Sequence, residues 1–173
     1  MKEVFKMKKT IAFLALLLTV SVMAEPLMLQ MPFKKGRKDP IAWWMGKGTL
    51  VAEKDGNAVA VEKGRGIMFK NKFAGKAGDK LVYEITFKRT AGDVSLRVGK
   101  WANEGWITED ASYLKGGTEY TVAKGELVLT DAVKPDSKGI VRKVVKFDVR
   151  LQAHSNSSGV MIKDVKIDVV PKK

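Results

Sequence analysis

Residues 80–89 read KLVYEITFKR, and this stretch decides the fold because large apolar and polar side chains alternate along it. One face of an extended chain would carry four large apolar side chains, those of Leu81, Tyr83, Ile85 and Phe87. The other face would carry Val82 together with the polar side chains of Glu84, Thr86 and Lys88. A period of two is that of a strand with one buried face. The stretch therefore predicts a strand that covers a hydrophobic core.

The same alternation recurs in residues 93–101, 145–152 and 165–169, and glycine-rich turn signals separate the runs. No window after residue 25 keeps apolar residues at a helical spacing for three turns. About nine short strands punctuated in this way predict an all-β sandwich or barrel. The connection from Asn103 to Gly117 is expected to be the longest irregular stretch, and long loops often carry function.

The N-terminus carries an export signal. Lysines at positions 6, 8 and 9 precede an apolar run from Ile11 to Val22, and the segment ends in Val22-Met23-Ala24, which reads as a cleavage site. This order predicts a cleavable signal peptide over residues 1–24. The run has roughly a dozen apolar residues, whereas a bilayer-spanning helix needs about 20. We therefore expect no membrane span and an exported protein, periplasmic or extracellular. A lipoprotein anchor and disulfides are excluded because the chain has no cysteine.

Removal of the signal leaves a chain of single-domain size. Residues 25–40 hold three of the five prolines and are expected to form an entry strand or arm, and residues 41–173 the sandwich. The whole chain has a net charge of +13, of which the signal contributes +3. Charge of this size favours acidic partners such as anionic glycans, lipid surfaces or nucleic acid. No nucleic-acid-binding module is recognisable, so we expect no nucleic-acid partner, and we expect a monomer.

Five segments carry a resemblance to a known family. They are GTLVAEKDGNAVAVEKGRGIMFKNKF (48–73), KAGDKLVYEITFKR (76–89), DVSLRVGKW (93–101), VRKVVKFDVRLQ (141–152) and SSGVMIKDVKIDVV (157–170). Their order resembles the carbohydrate-binding-module-like, galactose-binding-domain-like jelly rolls of secreted bacterial proteins, over about residues 41 to 170. The resemblance implies a two-sheet antiparallel β-sandwich of the jelly-roll type and a glycan ligand.

The resemblance also implies a structural calcium held by an acidic residue near the entry strand and an aspartate in the last strand. Asp164 stands in the last-strand position, but Met31-Pro32-Phe33-Lys34-Lys35 replaces the acidic partner. Calcium requires six to eight oxygen ligands, and neighbouring lysines oppose its binding. Asp164 is thus the one calcium ligand that the sequence offers, and no other cofactor is expected.

Two tryptophans form the candidate glycan site. Trp101 falls on the outward face of its strand, and Trp106 follows five residues later. Aromatic rings bind sugars by stacking on their apolar C–H faces, while the hydroxyls need polar partners. Arg97, Arg150 and Gln152 face outward on their own strands and are the expected partners. In the alternative interpretation both indoles are packed against the sandwich, because large aromatics are mostly buried.

Three functions remain open from the sequence. We favour an exported, non-catalytic polysaccharide binder, and the net charge favours an acidic glycan as its ligand. A structural or protein-interaction sandwich of the cell envelope is the alternative. The second alternative is a small jelly-roll polysaccharide lyase, which would use Gln152 and His154 with Arg150 and either Tyr113 or Tyr120. The remaining lyase motifs, a phosphate-binding loop and a His/Cys metal set are absent from the sequence.

Overall fold

The computed structural model describes residues 27–29, 41–44, 48–54, 56–69 and 75–173. For residues 27–29 and 41–44 it describes the backbone only. The predicted signal peptide and most of the predicted arm lie outside the described residues.

The described residues form β-strands and no helix. In chain order the strands are β1 (Leu27–Leu29), β2 (Ile41–Trp44), β3 (Thr49–Glu53), β4 (Gly56–Val61), β5 (Gly66–Phe69), β6 (Lys80–Lys88), β7 (Val94–Ala102), β8 (Gly105–Leu114), β9 (Thr121–Val128), β10 (Lys146–Ala153) and β11 (Val160–Val170). Within the described residues, no helix has the length and apolar character needed to cross a bilayer.

The strands form two antiparallel sheets. The six-stranded sheet has the order β3-β4-β11-β6-β9, and β1 also pairs with β11. The five-stranded sheet has the order β2-β5-β10-β7-β8. Most neighbours in each sheet are distant in sequence, which is how a jelly roll is wound. The predicted all-β, two-sheet sandwich is therefore confirmed.

The core lies between the two sheets and is built by the alternation seen in the sequence. Each apolar residue of KLVYEITFKR on the predicted inner face is buried in β6. They pack in one cluster with the inward side chains of the five-stranded sheet, among them Leu96, Val98, Val149 and Leu151. The removal of this apolar surface from water is the main stabilising term of the fold.

The prediction of a long irregular stretch from Asn103 to Gly117 is wrong. Residues 105–114 form β8, which pairs with β7 through a tight turn at Asn103 and Glu104. β8 is an edge strand with polar side chains on both faces, so it lacks the clear alternation of a strand with one buried face. The longest irregular stretch of the described residues is instead the β9–β10 loop, residues 129–145.

Candidate functional site

The outer face of the five-stranded sheet carries the sequence-predicted glycan residues. In the strand pairing, Arg97 of β7 lies opposite Arg150 of β10, and Trp101 lies opposite Trp106 of β8. Gln152 lies opposite Ser95, further along the same two strands. The antiparallel register thus collects residues from three strands on one surface, although they are up to 55 positions apart in the chain.

An open groove of about 570 Å³ crosses this face at the tryptophan end. Its lining consists of Met68, Trp101, Trp106, Glu109 and Arg150. Trp106 is 49% exposed, and Trp101 is half-buried. The groove therefore combines accessible aromatic surface with charged hydrogen-bonding groups.

Asp148 fixes the position of Trp101 and Arg150 beneath the groove. Its Oδ2 accepts a hydrogen bond of 2.7 Å from the indole Nε1 of Trp101. Its two oxygens also accept bonds from Arg150, of 3.0 Å from Nε and 3.1 Å from Nη2. The Asp148 and Arg150 side chains are both buried, and a buried charge is tolerated only when it is paired in this way.

Glu109 connects Arg150 to Arg97. Its Oε1 accepts a hydrogen bond from Arg97 Nη1, and its Oε2 lies 3.7 Å from Arg150 Nη1. The two arginines of the face are therefore matched by two carboxylates, those of Glu109 and Asp148. Burial, more than any charged neighbour, lowers the pKa of Arg97 from its usual value, yet an arginine remains charged at any physiological pH.

His154 continues the polar network beyond Arg97. Its Nε2 lies 2.9 Å from Ser95 Oγ and 3.5 Å from Arg97 Nη2, and Arg97 Nε donates to Ser95 Oγ at 3.1 Å. Burial and then the positive charge of Arg97 lower the pKa of His154 below its usual value of 6.5. At neutral pH the imidazole is therefore uncharged, and Nε2 accepts hydrogen bonds from these neighbours.

Tyr113 gives the face a third aromatic side chain. Its ring stacks on His154 with a centroid distance of 5.4 Å, and it is exposed to solvent. Tyr113 and Trp106 lie seven residues apart on β8, which at about 3.4 Å per residue separates them by roughly 24 Å. Accessible aromatic surface is thus present near both ends of the face.

Gly99 is the reason that the charged pair fits on this face. The residue lies opposite Asp148 in the register, and a Cβ at this position would overlap Asp148 Oδ1 and come within 2.8 Å of Arg150 Nη2. Because Gly99 has no side chain, β7 leaves the space that the Asp148–Arg150 pair occupies.

The structure changes the expected roles of Arg150 and Gln152. Arg150 faces outward as predicted, but it is buried and bonded to Asp148, so its guanidinium is a fixed part of the groove floor and not an extended arm. Gln152 is half-buried, and its Oε1 has no hydrogen-bond partner among the described residues. It lies outside the groove lining.

The two tyrosines considered for a lyase are on different sheets. Tyr113 lies beside His154 as described. Tyr120 lies next to the six-stranded sheet, where its ring is flanked by Lys88 Nζ at 4.4 Å and Lys163 Nζ at 4.9 Å. Tyr113 is therefore the one tyrosine of the two that shares a face with His154 and Arg150.

Asp164 lies on β11 where the pairing with β6 shifts register. Its Oδ2 is 3.9 Å from Lys166 Nζ. In the part of the chain that the structure describes, no group of three or more His, Cys, Asp or Glu side chains is placed to hold a metal ion. The calcium site remains a prediction, because the segment Met31 to Lys35 lies outside the described residues.

Sequence reasoning did not select Met68 or Asp148, and it placed Glu109 on a loop. A signal existed for Asp148, because it precedes Arg150 by two positions and must share its strand face. The role of Glu109 depends on recognising β8 as a strand. Met68 joins the groove through pairing with Arg150, a contact between residues 82 positions apart.

No model of a known protein family and no curated protein sequence matches the chain. Solved structures do match. The CBM22-1 xylan-binding domain from Paenibacillus barcinonensis superposes with a TM-score of 0.57 at 11% identity, over 86% of this chain and 97% of that domain.

Two further matches have TM-scores just below one half. A family 11 carbohydrate-binding module from Clostridium thermocellum, solved with a mixed-linked tetrasaccharide, gives 0.49 at 10% identity, over 84% of this chain and 96% of that one. A two-module structure of a xylanase from the same organism, solved with xylohexaose, gives 0.49 at 12% identity, over 74% of this chain and 26% of that one. The chain has a carbohydrate-binding-module-like jelly-roll fold, as the match to the xylan-binding domain shows.

Proposed function

We propose that this protein is an exported, non-catalytic polysaccharide-binding module that holds a glycan in the groove between Trp101 and Trp106. The observation that carries the proposal is the half-exposed indole of Trp106 beside a floor of fixed hydrogen-bonding groups. A sugar ring stacks its C–H face on the indole, and its hydroxyls are placed next to the carboxylate and guanidinium groups of Glu109 and Arg150.

The shared fold supports the ligand class. The structure from Paenibacillus barcinonensis is described as a xylan-binding domain, and the present chain covers nearly the whole of it. Function is determined by the site and not by the fold, so the groove and its tryptophans are the stronger argument. Exposure of Trp106 also favours glycan binding over the alternative in which both indoles are packed or covered.

The charge of the groove favours an uncharged polysaccharide. Arg97 and Arg150 are matched by Glu109 and Asp148 within hydrogen-bond or ion-pair distance. Most of the excess positive charge of the chain therefore lies elsewhere, apart from Lys146 Nζ at 5.8 Å from the ring centroid of Trp101. The groove itself presents donors and acceptors suited to hydroxyl groups. The net charge alone favoured acidic glycans, so the charged and neutral ligands must be compared directly.

Affinity electrophoresis of the exported chain through gels containing xylan, mixed-linkage β-glucan or a uronate polymer tests the proposal. We expect retardation by a neutral polysaccharide, and we expect Trp106→Ala to weaken it about tenfold or more, because an aromatic anchor at the centre of a site carries much of the binding energy. Trp106→Phe keeps an aromatic face and should retain most of the affinity. Leu50→Ala, an exposed apolar residue of the six-stranded sheet, is the matched control. If none of these polymers retards the protein, the proposal is refuted.

The contact of His154 with Tyr113 makes the lyase alternative worth a direct assay. In the structure His154 Nε2 accepts hydrogen bonds from Ser95 and Arg97, which engage its lone pair. We therefore expect no unsaturated product when the protein is incubated with a uronate polymer. Ultraviolet absorbance from such a product, lost in a His154→Gln variant, would replace the binding proposal by a catalytic one.

A further inference from the structure

The β9–β10 loop, residues 129–145, is hydrogen-bonded at both its base and its tip. At its base, Lys100 Nζ donates to the carbonyl of Ala132 at 3.0 Å, and the amide of Val145 donates to the carbonyl of Trp101 at 2.8 Å. At its tip, Asp136 Oδ1 accepts bonds from the amides of Lys138 and Ile140, at 2.9 and 3.0 Å. Local side-chain to backbone bonds of this kind hold a turn in one shape.

The tip of the loop presents apolar side chains to solvent. Ile140 is 54% exposed and Val141 is 63% exposed, and the nearby Val145 is 51% exposed. Three aliphatic side chains held outward within six residues are unfavourable in water. Exposed aliphatic side chains this close together in the sequence favour an interaction site.

Basic side chains surround the apolar tip. Lys134, Lys138 and Lys143 are exposed, and Arg142 Nη2 pairs with Asp136 Oδ2 at 3.3 Å. Asp131 and Asp136 are the acidic residues of the loop. The loop therefore has a net positive charge, most of it on exposed lysines within a few residues of Ile140 and Val141.

We propose that the β9–β10 loop binds the surface of an anionic lipid bilayer. The aliphatic tip would enter the boundary between headgroups and acyl chains, and the lysines would lie against anionic headgroups. A polysaccharide offers no hydrocarbon phase for Ile140 and Val141, and these aliphatic residues have no aromatic face for a sugar to stack on. Because Val145 is hydrogen-bonded to Trp101, bound lipid would hold the glycan groove close to the membrane surface.

Sedimentation with vesicles tests this proposal independently of glycan binding. The chain purified after export is mixed with vesicles of equal parts phosphatidylcholine and phosphatidylglycerol, or of phosphatidylcholine alone, and all variants carry the same N-terminus. We expect binding to the anionic vesicles only. The pair Lys138→Ala and Lys143→Ala should weaken it about fivefold per lysine removed. The pair Ile140→Ser and Val141→Ser should weaken it about tenfold through lost apolar burial.

Two control pairs show whether the effect belongs to the loop. Val122→Ser with Val128→Ser removes valines of similar exposure from β9, and Lys63→Ala with Lys115→Ala removes exposed lysines from other turns. The valine pair should change vesicle binding by no more than about twofold, and the lysine pair by no more than about fivefold. Absence of binding to anionic vesicles, or binding that the serine pair leaves intact, would overturn the proposal. Retardation by xylan, measured on the same variants, tests the glycan proposal on its own. A failure of the glycan proposal can therefore be distinguished from a failure of the lipid proposal.

Discussion

At the scale of single residues, the groove depends on a glycine. The Asp148–Arg150 pair occupies the space where Gly99 has no side chain, and the same pair anchors the indole of Trp101. A polar network in a buried setting must be fully paired, since each unpaired member is costly. Small changes under the groove should therefore affect both stability and ligand binding.

We expect Gly99→Ala to lower the free energy of unfolding by about 1–3 kcal/mol, because an added Cβ overlaps Asp148 and forces the pair to move. Urea denaturation measures the change, and polysaccharide retardation should fall in parallel as Trp101 loses its anchor. Gly117→Ala is the matched control, because a Cβ there meets no atom within 4 Å. Equal stability of the two variants would show that the pair has room to move.

His154 makes stability depend on pH in a defined window. Burial and the charge of Arg97 lower its pKa in the folded state, so the unfolded chain binds a proton more readily than the folded one. Stability is then fully present above about pH 6.5, the usual pKa of histidine, and falls as the pH decreases through the folded pKa. Thermal unfolding between pH 7 and pH 5 measures this slope. His154 is the one histidine of the chain, so His154→Gln should remove most of the slope in this range, and an unchanged slope would contradict the assignment.

Among the elements, the tip of the β9–β10 loop is held by one carboxylate. Asp136 accepts two backbone bonds and pairs with Arg142, and the bonds from the Ile140 and Lys138 amides are the main cause of its lowered pKa. We expect Asp136→Ala to increase amide hydrogen exchange and proteolysis in residues 134–142, with little change in the global unfolding midpoint. Asp131→Ala in the same loop is the control. If the tip stays protected from hydrogen exchange and proteolysis in Asp136→Ala, a group other than Asp136 holds it.

The elements also show how far the sequence alone could predict the structure. Alternation identified the core strands, because burial on one face imposes it on β6, β7, β10 and β11. It failed for β8, whose edge position leaves both faces partly exposed. It puts Lys100 on the inward face two positions after Val98, but it could not foresee that the buried Lys100 side chain pairs with Asp110 at 2.9 Å. Trp101 and Trp106 were selected from their chemistry, but Asp148, Glu109 and Met68 join them through pairings that depend on the complete sheet.

Across the molecule as a whole, most of the positive charge lies outside the proposed glycan groove. The chain has a net charge of +13, yet the four ionised groups under and beside the groove cancel in pairs. The β9–β10 loop, in contrast, has exposed lysines with few acidic neighbours. One face is thus suited to hydroxyl groups, and one edge of the sandwich is suited to an anionic surface.

This separation predicts that the two proposed binding activities differ in their response to salt. Binding of a neutral polysaccharide in the groove should change little between low salt and physiological ionic strength, because paired charges within hydrogen-bond distance are screened far less than exposed ones. Binding to anionic vesicles should weaken steeply over the same range, since the screening length falls to about 8 Å at physiological ionic strength. Gel retardation and vesicle sedimentation in matched buffers measure both dependences on one preparation. A steep salt dependence of polysaccharide binding would mean that the groove selects an acidic glycan through charges outside the paired network, with Lys146 above the ring of Trp101 as the nearest such group.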